Sequence, residues 1–499
     1  MSITGAGSIT AANIAAVNNM NNQLSVLSAE LGSGDAAQTY SGLGSQAGVA
    51  LSLSSQLSAI NGYSNAATAA GTTLGVEQSL LTQLGDSGSA VEQAVNQQGA
   101  FSLNGSGQTS TQASAATELD QILSVLNTQV GGNYLFSGSA VNQPSVASTN
   151  EILNGNGAQA GLTQVISERT QADLGTGNMG RLTVGGSGST VTLSQDGSPF
   201  GFQLASVNST LTGATVSGPT GSPPIETINL GSNPNAGDTV QFNLTLPDSS
   251  SQTISLQATT DTPPGTNQFT IGANANATAA NVQTALTTAI TSLAQTALPA
   301  ASAVAAANNF FSSNPPLRVS GTPATSMSLV AGTSANTVFW YTGGSGSTPA
   351  RQTATAQVGP STTVAYGMQA NEQAISSLVA NVAVLAATTY SPSNPNAQLS
   401  YQALSQKVAE NLSSPSGTQS IGDIQADLAN AQSTITNATG LNTQTQTTLQ
   451  GMLQNIEGIN QDQIGEQILT LQNSLSASLS VTARLAQMSL VNYLGTSAG

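Results

Sequence analysis

Apolar residues near the N-terminus recur at alternating steps of three and four, the spacing that places them on one face of an α-helix. The first stripe spans residues 17–31 and ends at a Gly-Ser-Gly sequence. A second spans 49–81 and is followed by Gly85-Asp86-Ser87-Gly88, which predicts an interruption. A third spans 119–130. The large apolar residues of the first two stripes include Leu24, Leu27, Leu31, Leu53, Leu57 and Ile60.

The C-terminal end carries the longer pattern. Stepping alternately by three and four from Ile421 to Ile459 meets apolar residues at every position except Asn442 and Thr445. A heptad pattern of this length is typical of a coiled-coil seam. The seam and the stripe that follows it include Ile456, Ile464, Ile468, Leu471, Leu475 and Leu485.

The middle of the chain, residues 146–365, is rich in Pro and Gly and contains short alternating runs typical of half-buried strands. Val240, Phe242 and Leu244 form one such run, and Ile254 and Leu256 form the returning strand. One Ala-rich helix is predicted near residues 278–309.

These patterns predict a multidomain α plus β protein. Its N-terminal helical segment (1–145) and C-terminal helical segment (366–499) pair as an antiparallel coiled-coil rod. The β-rich middle (146–365) becomes an inserted, outward-facing domain.

Charge narrows the range of partners. Charged residues make up 6% of the chain, against about 25% in an ordinary soluble domain. The net charge is −16, and the six basic residues are scattered. Nucleic acids and anionic membranes require a concentrated basic surface, so both are excluded as partners.

No apolar run approaches a membrane span, and Met1 to Gly5 lack the features of a cleaved signal peptide. We therefore expect no membrane insertion. Taken alone, these absences indicate a cytoplasmic protein, and they are equally compatible with an export route that does not use a cleaved signal.

Catalytic and metal chemistry has few candidate groups. The chain has no His and no Cys, so a Ser-His-Asp triad, the commonest general base and the usual metal ligands are absent. A Ser-Lys pair would need Lys407, the only lysine. The carboxylates Glu457, Asp462 and Glu466 lie beside heptad positions and indicate a solvated face. Residues 175–180 match G-x-G-x-x-G, but a strand follows them, so a loop is predicted. We expect no enzyme activity, no cofactor and no metal.

Three sequences resemble one family. Residues 132–138, Gly-Asn-Tyr-Leu-Phe-Ser-Gly, resemble the signature of hook-associated protein 3, the hook–filament junction protein, within the flagellin and hook-associated protein superfamily. The C-terminal residues 475–494 resemble the end of the same family, and residues 27–34 resemble a stretch shared with flagellins. The segment from Trp340 to Glu372 resembles versions from α-proteobacteria. The residues that carry the motif are Tyr134, Leu135, Phe136, Gly138, Leu490, Tyr493 and Leu494.

The resemblance implies a structural role in the bacterial flagellum. It implies that the apolar stripes at both ends mediate self-assembly at the hook–filament junction, outside the cell. The implied partners are copies of the chain itself, other flagellar axial proteins (hook-associated proteins and flagellin), the type III export apparatus and an export chaperone.

Two alternatives remain open. Many flagellins carry an Asp-Asp pair where this chain has residues 40–44, Tyr-Ser-Gly-Leu-Gly, and many end in Leu-Leu-Arg where this chain continues to Tyr493-Leu494. Both departures favour the junction protein over a filament-forming flagellin without excluding the latter. A secreted adhesin or surface fibre is the more distant alternative.

Overall fold

The structure, a computed structural model, describes residues 4–97, 101–344, 346–413 and 417–495. The chain divides into two compact units. The first comprises Met1–Gly71, Ala356–Val364 and Ser433–Gly499, and we call it the terminal unit. The second comprises Thr72–Thr355 and Ala365–Gln432, and we call it the central unit. Long terminal helices thus flank an inserted β-rich middle, which confirms the predicted fold class. The units meet at residues 71–72 and 432–433, nearer the chain ends than the predicted boundaries at 145 and 366. That residues 1–145 and 366–499 form inner segments and residues 146–365 an outer domain stays a prediction.

Two helices of the terminal unit pair in antiparallel orientation, α1 (Thr4–Ser33) and α11 (Gln461–Gly495). An antiparallel bridge joins Asp35 to Gly458 and holds the end of α1 beside the start of α11. Half-buried side chains recur on the shared face of both helices at heptad spacing, as a coiled-coil seam requires. These side chains are Val17, Met20, Leu24, Leu27, Ile464, Ile468, Leu471, Leu475 and Leu485.

Two longer helices also contribute to the terminal unit, α2 (Ala47–Asn96) and α10 (Ile421–Glu457). Their side chains form an apolar cluster of Leu53, Ile60 and Leu449, with Leu57, Tyr63, Leu453 and Ile456 packed against it.

The predicted stripe on α10 is wrong in phase after Asn442. Leu453 packs into the cluster, whereas Met452 is 50% exposed, and Thr445 is exposed while Gln446 is half-buried. Leu449 and Ile456 are seven residues apart, and both lie on the seam. The seam residue between them can follow Leu449 by three residues or by four, so the heptad alone does not decide between Met452 and Leu453.

Asn442 interrupts the apolar seam of α10 and is 4% exposed. Its side-chain amide Nδ2 donates to the carbonyl oxygen of Val358 (2.9 Å), which lies in the hairpin of β13 (Thr355–Gln357) and β14 (Thr363–Ala365). A buried amide without a partner is destabilising, so this bond explains how a polar residue is accommodated at a seam position.

The helices wholly within the central unit are α3 (Ser110–Leu126), α4 (Thr149–Asn154), α5 (Leu162–Leu174), α6 (Ala275–Gln295), α7 (Ala297–Ser312), α8 (Gln373–Ala387) and α9 (Ala397–Leu412). The helical part of this unit is built around α8, whose side chains are almost all buried. Helices α3, α5, α7 and α9 all pack against it.

The predicted interruption at residues 85–88 is wrong, because α2 continues through it to Asn96. Glycine inside a helix costs about 1 kcal/mol relative to alanine, and the buried residues Leu84, Val91 and Val95 offset that loss. At Gly88 a Cβ atom would lie 2.9 Å from Leu378 Cδ1. The glycine therefore lets α2 approach α8 closely.

The β part of the central unit contains two four-stranded sheets. Their strands are β3 (Leu182–Gly185), β4 (Thr190–Gln195), β5 (Gln203–Ser209), β6 (Ala214–Thr220), β7 (Ile225–Leu230), β8 (Thr239–Thr245), β9 (Ser251–Thr259) and β10 (Gln268–Thr270). The strand orders are β10-β9-β8-β5 and β3-β4-β7-β6. The inward-facing residues of both sheets share one apolar core with α6. The predicted strand pair is confirmed as β8 and β9, which pair in antiparallel register. Two short hairpins pair β1 (Gln129–Val130) with β2 (Asn133–Tyr134), and β11 (Leu317–Val319) with β12 (Leu329–Ala331).

The single helix predicted near 278–309 is wrong, because the segment forms two helices, α6 and α7, that break at Thr296. Pro299 explains the break, since its ring would clash with the carbonyl of residue 295 in a continuous helix.

Among the described residues, no single helix is both long and apolar enough to cross a membrane. The bent pair α6–α7 has the length and apolar composition of a membrane span when its two helices are taken together, but its inward-facing apolar residues are buried in the fold.

Candidate assembly surface

The predicted assembly residues divide into two groups in the structure. Leu53 and Ile60 are buried in the terminal-unit cluster, with Leu57 and Ile456 packed against it. Leu24, Leu27, Ile464, Ile468, Leu471, Leu475 and Leu485 are half-buried along the α1–α11 seam, and Leu31 is 37% exposed. The structure therefore brings these residues onto two apolar faces within one chain. That the same faces mediate assembly between chains stays a prediction.

Several large apolar side chains of the terminal unit remain exposed, and the stripes did not reveal most of them. Ile14 is an example, because it lies on no predicted stripe and is 54% exposed. Leu479, in contrast, continues the C-terminal stripe four residues after Leu475 and is 50% exposed. Val49 was predicted on the second stripe and is also exposed. The exposed set is Ile14, Val26, Leu31, Tyr40, Val49, Leu51, Leu441, Met452, Leu469, Leu479, Val481 and Met488. Exposed apolar groups that gather on one part of a protein mark sites of interaction.

A groove of about 750 Å³ runs between α1 and α11. Val26 and Leu27 from α1 and Leu471 from α11 supply its apolar lining, and Glu466 supplies a carboxylate. Amide and hydroxyl side chains complete it: Asn22, Gln23, Gln463, Gln467, Thr470 and Ser474. The groove is shaped by two helices and open along their length, which suits a third helix better than a small molecule.

The signature residues have a structural role in the central unit. Phe136 is fully buried, and its carbonyl oxygen accepts a bond from Ala370 N (2.8 Å). Gly138 N donates to Met368 O (3.0 Å), so the motif forms a bridge to the segment that precedes α8. Gly138 has φ +61°, and a Cβ atom there would lie 2.7 Å from the Gln369 side chain. The motif therefore ties sequence from the N-terminal half to sequence from the C-terminal half. Tyr134 and Leu135 are half-buried beside it, whereas the side chains of Leu490, Tyr493 and Leu494 lie outside the described residues.

Lys407 and residues 175–180, both considered for chemistry, are engaged in structural contacts, whereas the carboxylates of Asp462 and Glu466 are exposed as predicted. Lys407 Nζ donates to Asp248 Oδ2 (2.6 Å) and to Ser250 Oγ (2.5 Å). The ammonium group is thus engaged in an ion pair with Asp248, and the contact with Ser250 is part of the same cluster. Residues 175–180 form a loop between α5 and β3, as predicted, and a side chain at Gly180 would overlap the Phe202 ring. Within the described ranges, no three acidic side chains are placed to hold a metal ion.

Two buried carboxyls titrate far from their ordinary range. Burial raises the pKa of Glu226, on the inward face of β7, to about 7. Burial raises the pKa of Glu77 on α2 to about 8; the nearby Arg351 guanidinium opposes this shift and Glu372 adds to it. Arg351 is already committed to an ion pair with Glu372, and Glu77 Oε2 has no hydrogen-bond partner. Glu77 is therefore held as the neutral acid at neutral pH.

Glu77→Gln is expected to remove part of the pH dependence of stability. The folded-state pKa lies above the unfolded value of 4.5, so this group's stabilisation is complete below pH 4.5 and is lost as pH rises toward about 8. The wild-type protein should therefore lose about 2 kcal/mol of unfolding free energy between about pH 6 and 8 that the variant retains. Urea denaturation at several pH values measures this difference. Asp86→Asn, an exposed carboxylate on the same helix, is the control, and equal slopes for Glu77→Gln and wild type would refute the assignment.

Comparison with known proteins agrees with this arrangement. Residues 8–141 match the family model of the bacterial flagellin N-terminal helical region. This range contains most of α1, all of α2 and α3, and the buried signature around Phe136. No curated protein matches the chain. The N-terminal region of the chain is thus similar to that of bacterial flagellins, and the match supports a self-assembling structural subunit of the extracellular bacterial flagellum.

Proposed function

We propose that this protein is the hook–filament junction subunit of the flagellum and assembles with copies of itself through its terminal helices. The antiparallel α1–α11 pair carries the proposal, because its exposed apolar residues and its long groove have no partner among the described residues of the chain. The Tyr-Leu-Phe-Ser-Gly sequence favours the junction protein over the filament subunit. The match to the flagellin model keeps a filament-forming flagellin as the second candidate.

Assembly through these helices has a physical rationale. A two-helix pair with a half-exposed seam buries too little apolar surface to be very stable alone, since most helix stability in proteins comes from packing. Contacts with neighbouring copies would bury the exposed residues and offset the ordering entropy. A surface poor in charge favours such packing, because the copies repel one another weakly.

The same proposal assigns the remaining partners and the route. The subunit contacts hook-associated proteins on one side and flagellin on the other. It leaves the cell through the flagellar type III export apparatus with an uncleaved N-terminus, guarded before assembly by an export chaperone.

Mass spectrometry of sheared, purified flagella tests the proposal, with the abundance of each subunit compared. We expect this chain as a minor component that is retained with hook-proximal ends. If the chain dominates the filament mass, it is a flagellin and the junction assignment is wrong. If it is absent from flagella of cells that express it, the flagellar role itself is wrong.

A further inference from the structure

Positive charge is distributed unequally between the two units. Among the described residues, five of the six basic side chains form ion pairs, and all five lie in the central unit. These pairs are Arg169–Asp173, Arg181–Asp196, Arg318–Glu168, Arg351–Glu372 and Lys407–Asp248. The sixth, Arg484, is exposed on α11, is the only basic residue of the terminal unit, and has no carboxylate within ion-pair distance in the described part of the chain.

Arg484 lies on an exposed face that is otherwise apolar. Val481 precedes it by three residues and Met488 follows it by four, so all three share one side of α11. Val481 is 53% exposed and Met488 is 58% exposed. We call these three residues the cationic ridge. An arginine between two exposed apolar side chains suits a complementary surface that offers both an apolar lining and a carboxylate.

The α1–α11 groove offers that combination at the other end of the helix pair. Val26, Leu27 and Leu471 line it, and the exposed Glu466 lies at its edge. All five carboxylates of the terminal unit lie near this end, where α1 ends and α11 begins: Glu30, Asp35, Glu457, Asp462 and Glu466. The ridge and the groove are thus opposite in charge and both partly apolar.

The ridge cannot reach the groove of its own chain. Arg484 and Glu466 are 18 residues apart on one helix, which corresponds to an axial separation of about 27 Å. Two different surfaces that complement each other and lie apart on one molecule form a head-to-tail contact between copies, which generates a ring or a helical filament.

We propose that the cationic ridge of one subunit docks in the α1–α11 groove of the next, with Arg484 paired to Glu466. The inference rests on the proposed function and specifies its contact. Exposed ion pairs contribute little affinity alone, so the apolar residues hold the two copies together. The charge pair selects the partner surface and fixes the axial offset between neighbouring helix pairs.

Cysteine cross-linking tests the contact directly, because the chain has no cysteine of its own. Flagella from cells that make the double variant Glu466→Cys and Arg484→Cys should yield covalent dimers and higher oligomers on mild oxidation. Disulfides require Cα atoms within about 7 Å, so a bond between these positions joins two chains. Each single variant should give dimers at most. The control pair Gln472→Cys and Arg484→Cys should give no higher oligomers, because Gln472 lies nine residues from the groove residue Gln463 and therefore on the side of α11 opposite the groove.

Charge reversal provides a second measurement that does not depend on oxidation. Arg484→Glu alone and Glu466→Lys alone should each lower incorporation several-fold, and the double reversal should restore it. Gln472→Glu adds a negative charge off the ridge and should leave incorporation unchanged.

The outcomes separate this inference from the proposed function. Wild-type protein present in flagella, with no oligomers from the double cysteine variant, would overturn the head-to-tail contact and leave the flagellar role standing. The cysteine variant could fail to assemble, in which case the charge reversals decide. If both single reversals are incorporated at the wild-type level, the head-to-tail contact is overturned. Absence of the wild-type protein from flagella would overturn both proposals.

Discussion

Leu471→Asp combined with Leu475→Asp is expected to abolish incorporation of the subunit into flagella. Both leucines are half-buried on the α1–α11 seam, and Leu471 also lines the groove. Two carboxylates there would have to stay solvated, because a charge buried without a partner is strongly unfavourable. The helix pair would separate, and the surfaces that meet a neighbouring copy would be lost with it. The amount of variant protein in sheared flagella, relative to the amount in whole cells, measures the effect.

A matched control separates the position of the charges from their presence. Gln472→Asp combined with Ser476→Asp adds the same two charges to the same helix, at the same spacing, on exposed positions. This variant should incorporate at close to the wild-type level. Normal incorporation of the Leu471 and Leu475 variant would show that the seam is not needed for assembly.

Phe136→Ala is expected to lower the free energy of unfolding of the central unit by about 3–5 kcal/mol, the loss that accompanies truncation of a buried aromatic residue. Phe136 is fully buried, and its backbone bridges to the segment before α8. Urea denaturation of the purified protein measures the change. Tyr134→Ala, at a half-buried position of the same motif, should cause a smaller loss. Equal losses for the two variants would show that the motif is not anchored by burial of Phe136.

The terminal helices were predictable because their signal is periodic and long. A heptad stripe requires only that one face of a helix be apolar, and Leu428, Ile435 and Leu449 are buried where the pattern placed them. The paired strands β8 and β9 were predictable for the same reason, since alternation in the sequence corresponds directly to the two faces of a strand. In both cases local sequence and final packing impose the same period.

Features that depend on distant contacts were not predictable. Gly88 is read as a helix breaker until Leu378, nearly 300 residues away, is known to pack against it. Asn442 is read as a defect in the seam until Val358 supplies its hydrogen-bond acceptor. Met452 and Leu453 exchange roles because the heptad does not distinguish their two phases. The candidate assembly surface was predictable only in part. The stripes indicated the seam, but the ridge around Arg484 became apparent only when the structure showed that the other five basic residues form ion pairs.

Trp340 has a practical consequence for studying the unassembled subunit. It is the only tryptophan, lies buried in the central unit, and donates its indole Nε1–H to Phe311 O (2.8 Å). Its fluorescence emission therefore reports on the central unit alone, whereas far-ultraviolet circular dichroism sums over every helix, including α1 and α11. Ellipticity that falls on heating before the emission changes would come from helices melting outside the tryptophan's surroundings. The two signals together would thus show whether a free subunit already holds its terminal helices in order, without any added label.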